Sequence, residues 1–235
     1  MSFIFTPSTG PSLPVAGTSD RFPVRRIYCI GRNYAEHAKE MGASPSTRAQ
    51  PVFFMKPADA IVPDGGGIPY PPATRELHHE VEMVIALGAG GRDLDTRAAR
   101  SCIFGYGVGL DLTRRDLQAT AKAKGLPWDA AKGFDHSAPV SALAAASDIG
   151  HPRRGCLSLT VNGELRQHAD IADMILPVED ILVELSRLFE LAAGDLVFTG
   201  TPAGVGPLVP GDRFEAELEH VATLSGRIVD TPGPG

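Results

Sequence analysis

The stretch His79-Glu80-Val81-Glu82-Met83-Val84-Ile85-Ala86-Leu87 decides the fold class of this 235-residue chain. Side chains alternate between the two faces of a strand, so Glu80 and Glu82 project together while Val81 and Met83 take the other face. The rest of the run is strongly apolar, which places the strand in a core. Two like charges side by side at the start of a buried strand are costly unless a cation lies between them. An E-x-E pair by itself is by default a solvated strand face. Here the apolar context argues otherwise, as does a third acid, Asp111, near the end of the other long apolar run at 103–112 (IFGYGVGLDL). Three carboxylates and water suit a hard cation, Mg2+ or Mn2+. No His/Cys set of the kind zinc prefers is apparent, and the His79 side chain points to the opposite face of its strand.

Reading outward from this strand, residues 26–30 (RIYCI) form a first buried strand, a turn covers 31–34, and 35–41 is a short helix. Residues 42–50 (GASPSTRAQ) are a flexible stretch where a lid can hinge, and 51–57 (PVFFMKP) is an apolar strand ended by proline, with Phe53, Phe54 and Met55 as core. Residues 113–123 read as a helix with Thr113 as N-cap and Asp116 at the third position. A strand at 157–161 runs into Asn162-Gly163, a strong hairpin signal. An amphipathic helix follows at 178–189, then a strand at 196–199, a Gly/Pro loop at 200–206, and strands at 214–218 and 224–229. This pattern predicts an α+β domain dominated by a β core. Residues 1–20 are an extended arm, 21–70 a small N-terminal subdomain carrying the lid helix, and 71–235 the main β-rich body.

The net charge of −6 and the absence of a basic stripe argue against nucleic acid. An acidic chain that takes an anionic substrate needs a local positive centre, such as a metal ion or focused Lys/Arg. No apolar run reaches the ~20 residues of a membrane span, and residues 1–14 lack the layout of a signal peptide. The three cysteines, Cys29, Cys102 and Cys156, are unpaired in spacing. They read as structural thiols of a protein in the reducing cytoplasm.

Seven segments then follow one another in order: GRNYAEHAKEMG, PVFFMKPADAIV, HHEVEMVIALG, GYGVGLDLTRRDLQ, KGLPWDAAKGFDHSAPV, VNGELRQ and LAAGDLVFTGTPAGVGPL. Together they resemble the fumarylacetoacetate hydrolase superfamily over residues 22–229, and within it the acylpyruvate and fumarylpyruvate hydrolases. The resemblance implies a mixed β-sandwich roll with short peripheral helices, usually a homodimer. It implies that Glu80, Glu82 and Asp111 hold the metal, that His37 and Glu40 are the catalytic pair, and that Lys132 is the active-site lysine. It also implies pocket positions for Arg32, Gln118 and Thr201, the last in the turn Gly200-Thr201-Pro202.

The chemistry so implied is cleavage of a carbon–carbon bond in a small β-diketo acid. The metal acts as Lewis acid on the carboxylate and 2-oxo oxygens. His37 and Glu40, three apart on a helix, share a face; Glu40 orients His37, which takes a proton from the attacking water. Lys132 adds a cation for the enolate. Without the resemblance, His37 and Glu40 are by default a surface pair, Lys132 an exposed lysine and Thr201 a turn residue. Fumarylpyruvate, with a carboxylate at each end, is the first substrate expected, in aromatic catabolism. Arg32, Arg114 or Arg115 can serve its distal carboxylate, although the last two are by default surface or structural. Acetylpyruvate is close behind. Alternatives on the same scaffold are decarboxylation of oxaloacetate and isomerisation or decarboxylation of unsaturated homologues. A noncatalytic metal-binding scaffold is the alternative from another class.

Overall fold

The computed structural model describes residues 3–6, 9–40, 51–63 and 66–231. The stretch at 42–50, read above as a lid hinge, lies outside the described residues. The decisive strand is where expected, at Val81–Leu87, and every residue in it is buried. It is central in an eight-stranded mixed sheet. Val81–Leu87 pairs antiparallel with Ile103–Leu110 on one side and with Asp195–Phe198 on the other. Asp195–Phe198 pairs parallel with Arg26–Gly31, which pairs antiparallel with Val52–Lys56 at the edge. Beyond Ile103–Leu110 lie Ala138–Val140 and Ile61–Pro63, with the short strand Ala144–Ala145 also on Ile103–Leu110. The segment read as an N-terminal subdomain thus supplies strands to the same sheet as residues 81–87.

A five-stranded sheet, in the order Glu164–Asp170, Cys156–Val161, Arg213–Leu218, Ala222–Val229, Gly67–Pro69, packs on one face of the larger sheet. Met83, Ile85, Tyr106 and Val108 from one sheet meet Leu159, Phe214, Ala216 and Leu224 from the other in a single apolar cluster. This is the mixed β-sandwich roll that the sequence implied. The opposite face of the larger sheet presents Val84, Ala86, Leu196 and Phe198 to a second cluster with Leu13, Val15, Phe22 and Val24. Both faces of the decisive strand are therefore covered, which is why its apolar run is unbroken. The N-terminal arm closes the second cluster: Ser12–Pro14 pairs with Arg21–Pro23, and Leu13 is fully buried. The Asn162-Gly163 hairpin forms with both residues at positive φ, 53° and 80°, as its two-residue turn requires. No helix among the described residues is long and apolar enough to cross a membrane.

Two local expectations are corrected. Thr113 is not an N-cap: it pairs with His78 in a short strand, and the helix Arg115–Lys124 begins after Arg114 without a side-chain cap. Asp116 instead accepts from Thr74 Oγ1 at 2.6 Å and from the Arg75 backbone at 3.0 Å, tying the helix to the preceding turn. Phe53, Phe54 and Met55 are not fully buried core, because Val52–Lys56 is an edge strand; Met55 is exposed and Phe54 faces a pocket.

Candidate active site

Strand ends bring the acids together. Glu80 immediately precedes the Val81–Leu87 strand, Glu82 lies within it, and Asp111 follows Ile103–Leu110. The two strands are antiparallel neighbours, with Val81 opposite Leu110, so the start of one meets the end of the other. Oxygen atoms of Glu80, Glu82 and Asp111 lie within 4.8 Å of one another, and all three residues are buried. His79 points away and bonds to Gln167 Oε1 through Nδ1 at 2.9 Å.

Three cations answer the three acids. Lys132, on the short helix Asp129–Lys132, is 2% exposed. Its ammonium donates to Glu80 Oε2 at 2.8 Å, Asp111 Oδ2 at 2.6 Å and Thr113 Oγ1 at 2.6 Å. Arg115 bonds to Glu80 Oε1 and, at 2.6 Å, to Gln118 Oε1. Lys56, fully buried at the end of its strand, lies 2.9 Å from Asp111 Oδ1 and donates to the carbonyls of Leu112 and Lys132. That Lys56–Asp111 approach is an ion pair without hydrogen-bond alignment, so Oδ1 is left without a hydrogen-bond partner among the described residues.

The carboxyl groups respond in opposite directions. Burial alone would raise Glu80, but Lys132 and Arg115 outweigh it and hold the group well below the usual carboxylate range. Burial pushes the Glu82 carboxyl well up, and the neighbouring Asp111 and Glu80 charges push it further. Burial would lower Lys132, yet Asp111 and Glu80 raise it. All three cations pair with Glu80 or Asp111 and none with Glu82. A divalent cation would add two positive charges, relieve the crowding at Glu82 and give an anionic substrate its counter-charge. The all-oxygen donor set and the Asp111 oxygen lacking a hydrogen bond fit such an ion.

His37, on the helix Ala35–Glu40, is buried and lines the same pocket as the acids. Its Nδ1 lies 3.1 Å from Glu40 Oε2, while Glu40 Oε1 accepts from the Gly204 backbone at 3.2 Å. The helix is set by the turn before it. Arg32 takes φ 64°, and the buried Asn33 amide bonds to the carbonyls of Thr199 and Leu176 at 2.8 and 3.1 Å. The 200–204 loop anchors Glu82 as well: the Gly200 N–H donates to Glu82 Oε2 at 2.6 Å. Gly200 holds φ +91°, and a Cβ there would come within 2.7 Å of Asn33 Cβ. Gly200→Ala is therefore expected to cost about 1–3 kcal/mol in denaturant unfolding and to weaken Mn2+ binding roughly tenfold by displacing the Glu82 anchor.

All the residues implied by the sequence line this one pocket except Glu40, which reaches it through His37. Gln118 is buried there with Oε1 taken by Arg115, leaving its amide N–H groups for a ligand. Arg32 is exposed at the pocket. The Thr201 hydroxyl is engaged within the protein, donating to Val81 O at 2.9 Å and accepting from Gln167 Nε2 at 2.8 Å. Arg114 leans on the Phe134 ring, its guanidinium 4.5 Å from the centroid, and does not line the pocket. The sequence reading missed Lys56 and Gln167. Lys56 had a signal: a lysine inside an apolar strand is costly unless it finds an acid. Lys56→Met should lower the unfolding free energy of the metal-free protein by about 3 kcal/mol, with saturating Mn2+ restoring part of the loss; an unchanged denaturant midpoint would contradict the pairing.

Residues 26–229 match the family model described as fumarylacetoacetate hydrolase, C-terminal. The chain belongs to the fumarylacetoacetate hydrolase family. Among solved structures of this family, fumarylpyruvate hydrolase from Pseudomonas aeruginosa, in complex with Mn2+ and pyruvate, is 47% identical with a TM-score of 0.95, covering 97% of this chain and 100% of that one. A putative fumarylpyruvate hydrolase from Burkholderia cenocepacia is 52% identical with a TM-score of 0.92, covering 99% and 100%. Among curated relatives, the oxaloacetate tautomerase of Escherichia coli K12 is 44% identical over 84% of this chain and 90% of its own length. The mitochondrial oxaloacetate tautomerase of Mus musculus is 42% identical over 85% and 90%.

Proposed function

We propose that this family member is a metal-dependent hydrolase that cleaves the carbon–carbon bond of fumarylpyruvate to fumarate and pyruvate. The observation that carries this reading is the oriented His37–Glu40 pair in one pocket with the acid cluster. Glu80, Glu82 and Asp111 would hold a divalent cation, which would supply Lewis acidity at this end of the pocket. With Nδ1 turned to the Glu40 carboxylate, His37 carries its proton there, and Nε2 is the free acceptor for a proton from water. Glu40 stabilises the imidazolium once that proton has moved. The water oxygen adds to the carbonyl carbon farther from the pyruvoyl carboxylate, and that carbonyl becomes an oxyanion. Gln118 offers N–H donors to it. The bond between this carbon and the methylene then breaks, the electron pair leaving with the pyruvate enolate. Lys132 keeps a positive charge at the acids to balance the enolate, and the proton taken by His37 returns to the methylene carbon.

The two fumarylpyruvate hydrolase structures support this reading by their identity across nearly the whole chain. A second reading, keto–enol interconversion of oxaloacetate, is favoured by the curated relatives. It uses the same acids and a proton carrier but no water attack, as does the oxaloacetate decarboxylation considered from sequence. The test is a comparison of kcat/KM for fumarylpyruvate hydrolysis with that for oxaloacetate tautomerisation on the Mg2+-loaded protein. Hydrolysis faster by tenfold or more is the expected result; tautomerisation with no fumarate released would assign the protein to the second reading.

A further inference from the structure

Arg115, Gln118 and Lys122 line the pocket from a single helix, Arg115–Lys124. Their spacing of three and then four residues puts them on one helix face. Arg115 and the Gln118 side-chain oxygen are spent on the inner end, on Glu80 and on each other. Lys122 is two turns from Arg115, about 10 Å between backbone positions. Its ammonium stands over the Trp128 ring, 5.2 Å from the centroid, and has no carboxylate within ion-pair distance among the described residues. The residue as a whole is exposed. Desolvation of its ammonium, with Arg115 and Arg32 nearby and Glu80 opposing them, pulls its pKa down to about 8. Lys122 and Arg32 are thus two cations of one pocket, neither with a carboxylate at ion-pair distance among the described residues.

We infer that Lys122, with Arg32 beside it, forms a subsite for the distal carboxylate of a long 2-oxo diacid whose other end is held at the acid cluster. The inference deepens the hydrolase reading and rests on it for the identity of the diacid. Length discriminates among candidates. An extended carbon chain advances roughly 1.2 Å per bond, so the terminal carbons of a seven-carbon diacid lie about 7 Å apart and those of a four-carbon diacid under about 4 Å. With one end at the acids, the longer molecule carries its distal carboxylate about 3 Å farther along the pocket toward Lys122 than oxaloacetate does. Lys122 is thus a specificity-determining residue, and the Trp128 face limits where its ammonium can swing.

The test separates the subsite from the reaction by using inert ligands. Calorimetry on the Mn2+-loaded protein compares 2-oxoheptanedioate with 2-oxoheptanoate, which lacks the distal carboxylate. The wild type should bind the diacid tenfold to a hundredfold more tightly, as one charge-assisted contact allows. Lys122→Gln, at an exposed helical position where Gln is well tolerated, should bring the ratio close to one, and Lys122→Arg should keep most of it. Equal affinities in the wild type, or a preference that survives Lys122→Gln, would overturn the assignment. If the preference is present and depends on Lys122 while fumarylpyruvate is not cleaved, the subsite stands and the hydrolase reading falls.

Discussion

Glu82→Gln yields a folded protein that binds Mn2+ poorly and cleaves fumarylpyruvate about 10³-fold more slowly than the wild type, the scale of several kcal/mol of lost Lewis-acid stabilisation. The expectation follows from where the charge sits. Glu82 is buried beside Asp111 and Glu80, and in the metal-free protein these push its carboxyl well up toward the neutral form. An uncharged glutamine is therefore no burden to the fold, and its carbonyl oxygen can still accept from Gly200. Stability without metal should be unchanged or slightly improved while metal affinity collapses. Denaturant unfolding in chelator and Mn2+ titration, run side by side, check this. A variant that unfolds early but binds Mn2+ normally would make Glu82 a structural residue.

His37→Ala should divide the functions the other way. His37 touches Glu40, not the acids' ligand atoms, so Mn2+ affinity should stay within a few-fold of wild type. Hydrolysis should fall by about 10² to 10⁴, the usual contribution of a positioned base. Glu40→Gln should lose less, about tenfold, because the imidazole keeps its place but loses its carboxylate. Steady-state kcat with saturating metal reads both. Full hydrolysis by His37→Ala would give water activation to another group.

The fold was largely legible because its deciding strand is covered on both faces, which writes an unbroken apolar run next to a polar pair. The Asn162-Gly163 hairpin was legible for a similar reason, since only a few dipeptides accept two positive φ values. The acid triad was legible through strand alternation and the position of Asp111. The placing of His37, Glu40 and Lys132 was not: a His three residues from a Glu, or a lysine among alanines, carries no local mark of burial, and only the ordered resemblance pointed to them. Lys56 and Gln167 escaped because their partners are distant in sequence. Lys56 meets Asp111 across 55 residues and Gln167 meets His79 across 88. The Thr113 cap failed because strand pairing with His78 and the Lys132 ammonium claim that residue. Arg115, offered from sequence to a distal carboxylate or by default to a surface or structural role, is turned by its helix onto Glu80.

The most direct test strips the protein of metal and adds back Mn2+ in substoichiometric steps while fumarate and pyruvate are both measured from fumarylpyruvate. The account predicts no cleavage in the stripped protein, a linear rise that levels at one Mn2+ per chain, and equal amounts of the two products throughout. Cleavage in the metal-free protein, or Mn2+ bound at one per chain with no fumarate released, would contradict it.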